Sequence, residues 1–192
     1  MTIGILALQG AFAEHADMLD RLDTAHVTIR KPADLERHFD GLILPGGEST
    51  VMGKLLRDLE LLEPLRERIC GGLPVMGTCA GLILLAGEVE GGAPVFATMH
   101  VRVRRNAYGR QDDSFDTDDD FRGIGRIPMT FIRAPYIVSV SGGARTLAET
   151  GGRVVAAREG NQLGCAFHPE LTGDLRVHRY FLDMVRAAEH HI

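Results

Sequence analysis

A chain of 192 residues, 45% hydrophobic and 24% charged, is long enough to bury one proper core and leaves little room for a second. Its formal net charge of −5 gives no electrostatic reason to bind nucleic acid or an anionic membrane, and the apolar run in MTIGILALQG is too short to span a membrane and lacks the basic flank of a signal peptide. Three cysteines, Cys70, Cys79 and Cys165, without CxxC spacing indicate neither a disulfide framework nor a zinc site, so no metal or cofactor is expected and a reducing, cytoplasmic setting follows.

Short apolar runs then alternate with helical patterns. Residues 3–8 read as a buried strand, 12–22 as an amphipathic helix, 27–30 as a short strand and 34–38 as a helical turn. Residues 41–44 form a buried strand stopped by Pro45-Gly46-Gly47. Residues 50–62 are helical, with Leu55, Leu59 and Leu62 on one side, and 63–69 continue the helix past Pro64. A strand at 73–77 leads into a helix at 80–86. The alternation predicts an α/β fold: a doubly wound, mostly parallel sheet with helices on both faces and sites at the carboxyl ends of its strands.

From about residue 95 the texture changes. Residues 95–103, 129–132 and 137–140 look like strands without long helices between them, a small antiparallel extension. Residues 111–121, QDDSFDTDDDF, read as an acidic loop with a solvated face. Residues 153–158 and 163–167 make a hairpin, and a helix at 174–188 closes the chain, burying Leu175, Phe181, Leu182 and Val185. No repeat or linker divides the sequence, so residues 1–192 read as one domain.

Two segments carry chemistry. Gly77-Thr78-Cys79-Ala80-Gly81, directly after an apolar run, has the form of a nucleophile elbow, with glycines that let strand turn sharply into helix. A thiol there meets the positive end of a helix dipole, which favours the attacking thiolate. His168-Pro169-Glu170 supplies a base and its orienting acid: if residues 163–170 are extended, positions 168 and 170 share a face. Nucleophile, base and orienter suggest acyl transfer through a thioester. Pro45-Gly46-Gly47-Glu48-Ser49-Thr50 fails the phosphate-loop pattern but can aim backbone N–H groups at an oxyanion. Glu48 and Ser49 suit the ammonium and carboxylate of an amino acid, and Arg105-Asn106 and Arg133 suit a carboxylate. Each piece has a bland counterpart: a buried small thiol, a plain turn, a surface arginine. The remaining histidines, His15, His26, His38, His100 and His178 among them, stand without metal-site spacing and read as packing or surface.

Taken together, LxLQGxxxEH, LILPGGEST, GTCAGL, RNxYGRQxxSF, FIRAP and GCxFHPELTxDxRVHxxF, spread over roughly residues 3–185, resemble the glutaminase subunits of pyridoxal 5′-phosphate synthase. These belong to the class I, or triad, glutamine amidotransferases. The resemblance implies hydrolysis of L-glutamine, transfer of ammonia to a separate synthase subunit, and a triad of Cys79, His168 and Glu170. It implies that Gly47, Glu48, Ser49, Arg105, Ile132 and Arg133 hold glutamine, with backbone N–H groups of Gly47 and Ala80 as the oxyanion hole. The synthase would meet the carboxyl ends of the strands, around Gln9 and residues 105–111. Ala97-Thr98-Met99-His100 departs from the family pattern and puts local packing in question. The rival readings are a stand-alone cysteine γ-glutamyl hydrolase or peptidase on the same fold, and a regulatory module without catalysis.

Overall fold

The computed structural model describes residues 1–106 and 114–189. Its first half alternates strand and helix: β1 (Thr2–Leu6), α1 (Phe12–Asp20), β2 (Ala25–Ile29), a 3₁₀ turn at Pro32–Glu36, β3 (Gly41–Leu44), α2 (Ser49–Asp58), α3 (Leu62–Cys70), β4 (Val75–Thr78) and α4 (Ala80–Leu85). Strands then follow one another: β5 (Ala86–Glu90), β6 (Met99–Arg104), β7 (Ser114–Phe121), β8 (Gly125–Ile132), β9 (Tyr136–Val140), β10 (Arg145–Thr150), β11 (Arg153–Glu159) and β12 (Gln162–Cys165). A 3₁₀ turn at Pro169–Leu171 and α5 (Arg176–Glu189) complete the described chain.

The strands form one sheet. β2, β1, β3, β4 and β12 lie side by side and parallel, and the sheet continues antiparallel through β11, β10, β7 and β8. β9 also pairs with β11 and carries β6 and β5 beside it. Every residue of β3 and β4 is buried, as expected of strands covered on both faces. A Cβ on Gly41 would meet Val185 and Phe181 of α5, whereas the Leu44 Cβ lies 3.0 Å from where a Cβ on Gly81 of α4 would stand. Positions three apart in a strand face opposite ways, so α4 and α5 cover opposite faces of the sheet.

Three expectations need correction. Residues 114–121 are a strand rather than a loop: β7 pairs with β8 in unbroken register from Ser114↔Ile132 to Phe121↔Gly125. Its period-two pattern decides this, sending Asp116, Asp118 and Asp120 to solvent while Phe121 is buried. Phe115 stacks on Phe131 with ring centroids 4.6 Å apart. Residues 111–113 lie outside the described chain. The helix expected to run past Pro64 is broken: α2 ends at Asp58, Glu60 turns left-handed at φ 57°, and α3 starts afresh at Leu62. Pro64 thus falls in the first turn of a helix, where its missing N–H costs nothing, and the fully buried Leu61 pins the break. The antiparallel region is also larger than expected, because β7 and β10 add to it, while β5 lies parallel to β6 at its edge.

The unusual segment at 97–100 is firmly attached. Thr98 Oγ1 donates to Gln162 Oε1 at 2.6 Å, and Glu159 accepts from the His100 backbone N–H at 2.7 Å and pairs with its ring Nδ1 at 2.6 Å. Met99 is buried in the core.

α4 and β3 approach each other closely. A Cβ on Gly81 would lie 2.0 Å from the Leu44 carbonyl oxygen, an obstacle that is backbone and cannot swing aside. Gly81→Ala should therefore cost about 3 kcal/mol, the upper end of overpacking effects. The check is the urea midpoint, which should fall at unchanged m-value; an unshifted midpoint would show the contact to be slack.

Candidate active site

Cys79 directly follows β4 at φ 51°, ψ −104°, a conformation that costs an L-residue energy and marks a sharp strand-to-helix elbow. The flanking glycines make it possible. A Cβ on Gly77 would lie 2.5 Å from the Gly81 carbonyl, and one on Gly81 would strike β3. The Cys79 N–H donates to the Cys165 carbonyl at 2.8 Å, hanging the elbow from β12. The thiol points past the end of the sheet, 3.9 Å from the Ile132 carbonyl oxygen, and only 6% of the residue is exposed.

His168 reaches the thiol from the far side. Its N–H donates to the Thr130 carbonyl at 2.8 Å, anchoring it to β8. Its ring lies on Gly46, where a Cβ would come within 2.2 Å of Cε1. Nδ1 meets Glu170 Oε1 at 2.6 Å, which leaves Nε2 for Cys79, the thiol whose interaction with the ring raises its pKa. The route to this pairing differs from the one expected. β12 stops at Cys165, and Pro169–Leu171 is a 3₁₀ turn, so a tight turn rather than strand alternation folds Glu170 back onto His168.

The electrostatics follow from burial and pairing. Burial alone lowers the His168 pKa, but the hydrogen bonds and charges of Cys79 and Glu170 outweigh it and push the group up to about 10. Burial disfavours the Glu170 carboxylate, yet His15 and His168 hold its pKa below the ordinary value. Burial, then the Glu170 charge, raises the Cys165 thiol, which stays protonated and inert.

The glycine-rich turn lies against the first loop. The Ala11 N–H donates to the Gly46 carbonyl at 2.9 Å, and Gln9 Oε1 accepts from the Glu48 N–H at 2.8 Å. Gly10, at φ 91°, has no space for a Cβ, which would fall 1.8 Å from the Gly46 oxygen. Glu48 caps α2, accepting from Thr50 and Val51 N–H at 3.2 and 2.9 Å. Arg105 Nη2 reaches Glu48 Oε1 at 3.3 Å and Thr50 Oγ1 at 3.1 Å. Ser49 and Arg105, with Ile83 of the elbow helix, line a cavity of about 310 Å³.

The positions singled out in the sequence thus fall into two groups. Cys79, His168, Glu170, Ile132 and the Gly46-Gly47 turn meet at the elbow, and Glu48, Ser49 and Arg105 gather at the start of α2. Ala80 opens α4, where the first backbone N–H groups have no partner within the helix. Arg133, at φ 45°, follows Ile132 directly. Tyr108, Gly109, Arg110 and Gln111 lie outside the described residues. Two residues read in the sequence as packing or surface are packed directly behind the site. His15 and His178, both fully buried, stand behind Glu170: His15 Nε2 is 3.5 Å from Glu170 Oε2, and its Nδ1 is 2.9 Å from His178 Nε2. No spacing links positions 15, 170 and 178. The one available signal was that each histidine falls on the apolar stripe of its helix.

Residues 5–187 match the model of the SNO glutamine amidotransferase family. The chain is 60% identical over 185 residues to a pyridoxal 5′-phosphate synthase subunit PdxT of Methanocorpusculum labreanum, covering 96% of this chain and 98% of that protein. It is 55% identical over 186 residues to the PdxT subunit of Desulfitobacterium hafniense, covering 96% and 94%. A crystal structure of a glutamine amidotransferase superposes with a TM-score of 0.91 at 43% identity, covering 96% of this chain and 98% of that one.

The raised pKa of His168 is directly measurable. Its imidazole should hold its proton through neutral pH and release it only near pH 10, whereas an unpaired histidine titrates near 6.5. The sign follows from the partners: both stabilise the charged ring, so replacing Cys79 with Ala should lower the pKa. The stability contributed by this group is accordingly complete below about 6.5 and lost as the pH rises through about 10. NMR titration of the ring in both proteins provides the check. A wild-type midpoint near 6.5 would contradict the ion-paired site.

Proposed function

The chain belongs to the SNO glutamine amidotransferase family, and we infer that it is the glutaminase subunit of a pyridoxal 5′-phosphate synthase, hydrolysing L-glutamine and handing ammonia to the synthase subunit of vitamin B6 biosynthesis. The observation that carries the reading is a buried elbow cysteine that interacts with an imidazole whose Nδ1 meets a buried carboxylate at 2.6 Å. The continuous sheet supports treating residues 1–192 as a single amidotransferase domain.

In this mechanism Cys79 Sγ attacks the carbonyl carbon of the glutamine side-chain amide, and the carbonyl electron pair moves to oxygen. Backbone N–H groups of Gly47 and Ala80 receive that oxyanion. This assignment is supported by the neighbouring bonds, since the Gly46 carbonyl and the Glu48 N–H already have intramolecular partners. The tetrahedral adduct collapses as His168 gives its proton to the departing nitrogen, leaving ammonia and a thioester. Water then attacks the thioester while His168 accepts its proton, and glutamate leaves with the thiol restored. Glu170 holds the imidazolium in orientation throughout. Glu48, Ser49 and Arg105 bind the amino-acid head of glutamine, with Ile132 and Arg133 beside the nucleophile. No metal or organic cofactor has a part in this scheme.

Ammonia in neutral water is largely ammonium, which has no lone pair to attack with. A synthase consuming it gains from a direct, dry transfer, and the carboxyl ends of the strands around Gln9 are the natural docking face. Residues 107–111 of the expected contact loop lie outside the described chain. Three unbridged cysteines, Cys79 among them, suit the reducing cytoplasm, where we place the protein.

Two experiments test this reading. Cys79→Ala should reduce glutamine hydrolysis by about 10⁴-fold or more, with His168→Asn nearly as damaging and Glu170→Gln milder. A thiol-directed glutamine analogue should label Cys79 and spare both Cys165 and the exposed Cys70. Full turnover in Cys79→Ala would remove the mechanism. Titrating the purified chain with synthase should raise kcat/KM, by about 10²–10³-fold if docking completes one oxyanion donor. Activity that is maximal alone and indifferent to saturating synthase would favour an independent γ-glutamyl hydrolase.

A further inference from the structure

Glu170 is an ionised carboxylate in the core, and only one of its oxygens is accounted for. Oε1 takes His168, while Oε2 is buried without a hydrogen-bond partner among the described residues. Leaving half a buried carboxylate unpaired is expensive, on the order of 1–3 kcal/mol or more. The group facing Oε2 is His15 Nε2, at 3.5 Å, and that same nitrogen lies 3.1 Å from Thr78 Oγ1, next to the nucleophile. A separation of 3.5 Å is long for a hydrogen bond, as such contacts often are before substrate binds.

The tautomer of His15 follows from its other side. Its Nδ1 is 2.9 Å from His178 Nε2, so one ring donates and the other accepts. If His15 donated there, its Nε2 would present a lone pair to a carboxylate, and His178 Nδ1 would be a buried N–H without a partner. If His178 donates, His15 Nε2 carries the proton and points it at Glu170 Oε2 and Thr78, and His178 Nδ1 is left as a bare acceptor. The second arrangement removes a repulsion and a stranded donor together. Both rings are neutral in it, in keeping with burial, which lowers both pKa values.

We propose that His15 is a positioning residue of the reaction, donating its Nε2 proton to Glu170 Oε2 so that the carboxylate holds His168 in line with Cys79, while His178 fixes the His15 tautomer. The inference rests on the triad reading above. It extends the line of interacting groups from the thiol through His168 and Glu170 to His15 on α1 and His178 on α5. His15 touches neither substrate nor nucleophile, so its removal acts on the rate of chemistry rather than on binding.

The test is steady-state glutamine hydrolysis by the complex with saturating synthase. His15→Leu, which fills space without a donor, should lower kcat by about 10- to 100-fold with little change in KM, as loss of a supporting hydrogen bond does elsewhere. His15→Gln, whose amide nitrogen can stand near Nε2, should recover most of that loss. In a Glu170→Gln background His15→Leu should add almost nothing, since its effect passes through the carboxylate. Equal losses in the Leu and Gln variants, or a full multiplicative loss in the Glu170→Gln background, would overturn the proposal. Should the Leu variant not fold, the ¹⁵N shifts of the wild-type imidazoles decide: an Nε2–H tautomer at His15 supports the proposal and an Nδ1–H tautomer overturns it. If instead Cys79→Ala and Glu170→Gln keep full activity, the triad reading itself has failed, an outcome distinct from an inert His15→Leu.

Discussion

The turn from β4 into α4 has no room for a side chain at either shoulder, and much of the molecule is arranged around that constraint. Gly77 and Gly81 bring helix and sheet together closely enough that Gly81 rests on the Leu44 carbonyl. This leaves Cys79 in a left-handed conformation that no local interaction favours. Such strain persists only where the surroundings over-determine it. Here they do so through the bond from Cys79 N–H to β12 and through α4, all six residues of which are buried. The strain has a use, since it holds the thiol out past the sheet.

Set against that apolar frame is a charge that stability alone would not choose. Glu170 lies in the core with a side chain that has no exposure, and ion pairs in such places often contribute nothing net against a hydrophobic replacement. What the carboxylate offers is orientation, since it meets His168 Nδ1 at 2.6 Å and so turns Nε2 toward sulfur. The cost of burying it is reduced by the histidines around it, so the site and the packing of α1 and α5 are a single problem.

How much of this was legible follows from which signals are local. The parallel centre was readable because strands buried on both faces are apolar throughout, as in Gly41–Leu44. The elbow was readable because its glycines stand at fixed offsets from Cys79. The acidic strand was misread because composition suggested a loop, while the deciding feature, Phe115 and Phe121 in phase beneath the aspartates, has meaning only once β8 lies alongside. The break at Glu60 hid for a similar reason: Leu59, Leu61 and Leu62 look helical until the core claims Leu61. His15 and His178 were beyond reach, because their role depends on three distant segments meeting behind one carboxylate.

The first turn of α1 joins the two halves of the site. Ala11, just before it, donates to the Gly46 carbonyl and so fixes the glycine turn that bears on both His168 and the expected oxyanion donor. His15, one turn further on, faces Glu170. The two contacts lie one turn apart on the same helix, directly after the loop at Gln9 and Gly10. The Gly10 approach to Gly46 leaves no slack in that linkage, with no space for even a methyl group between them. A partner docking near Gln9, as proposed above, would meet the start of the helix that contacts both the glycine turn and Glu170.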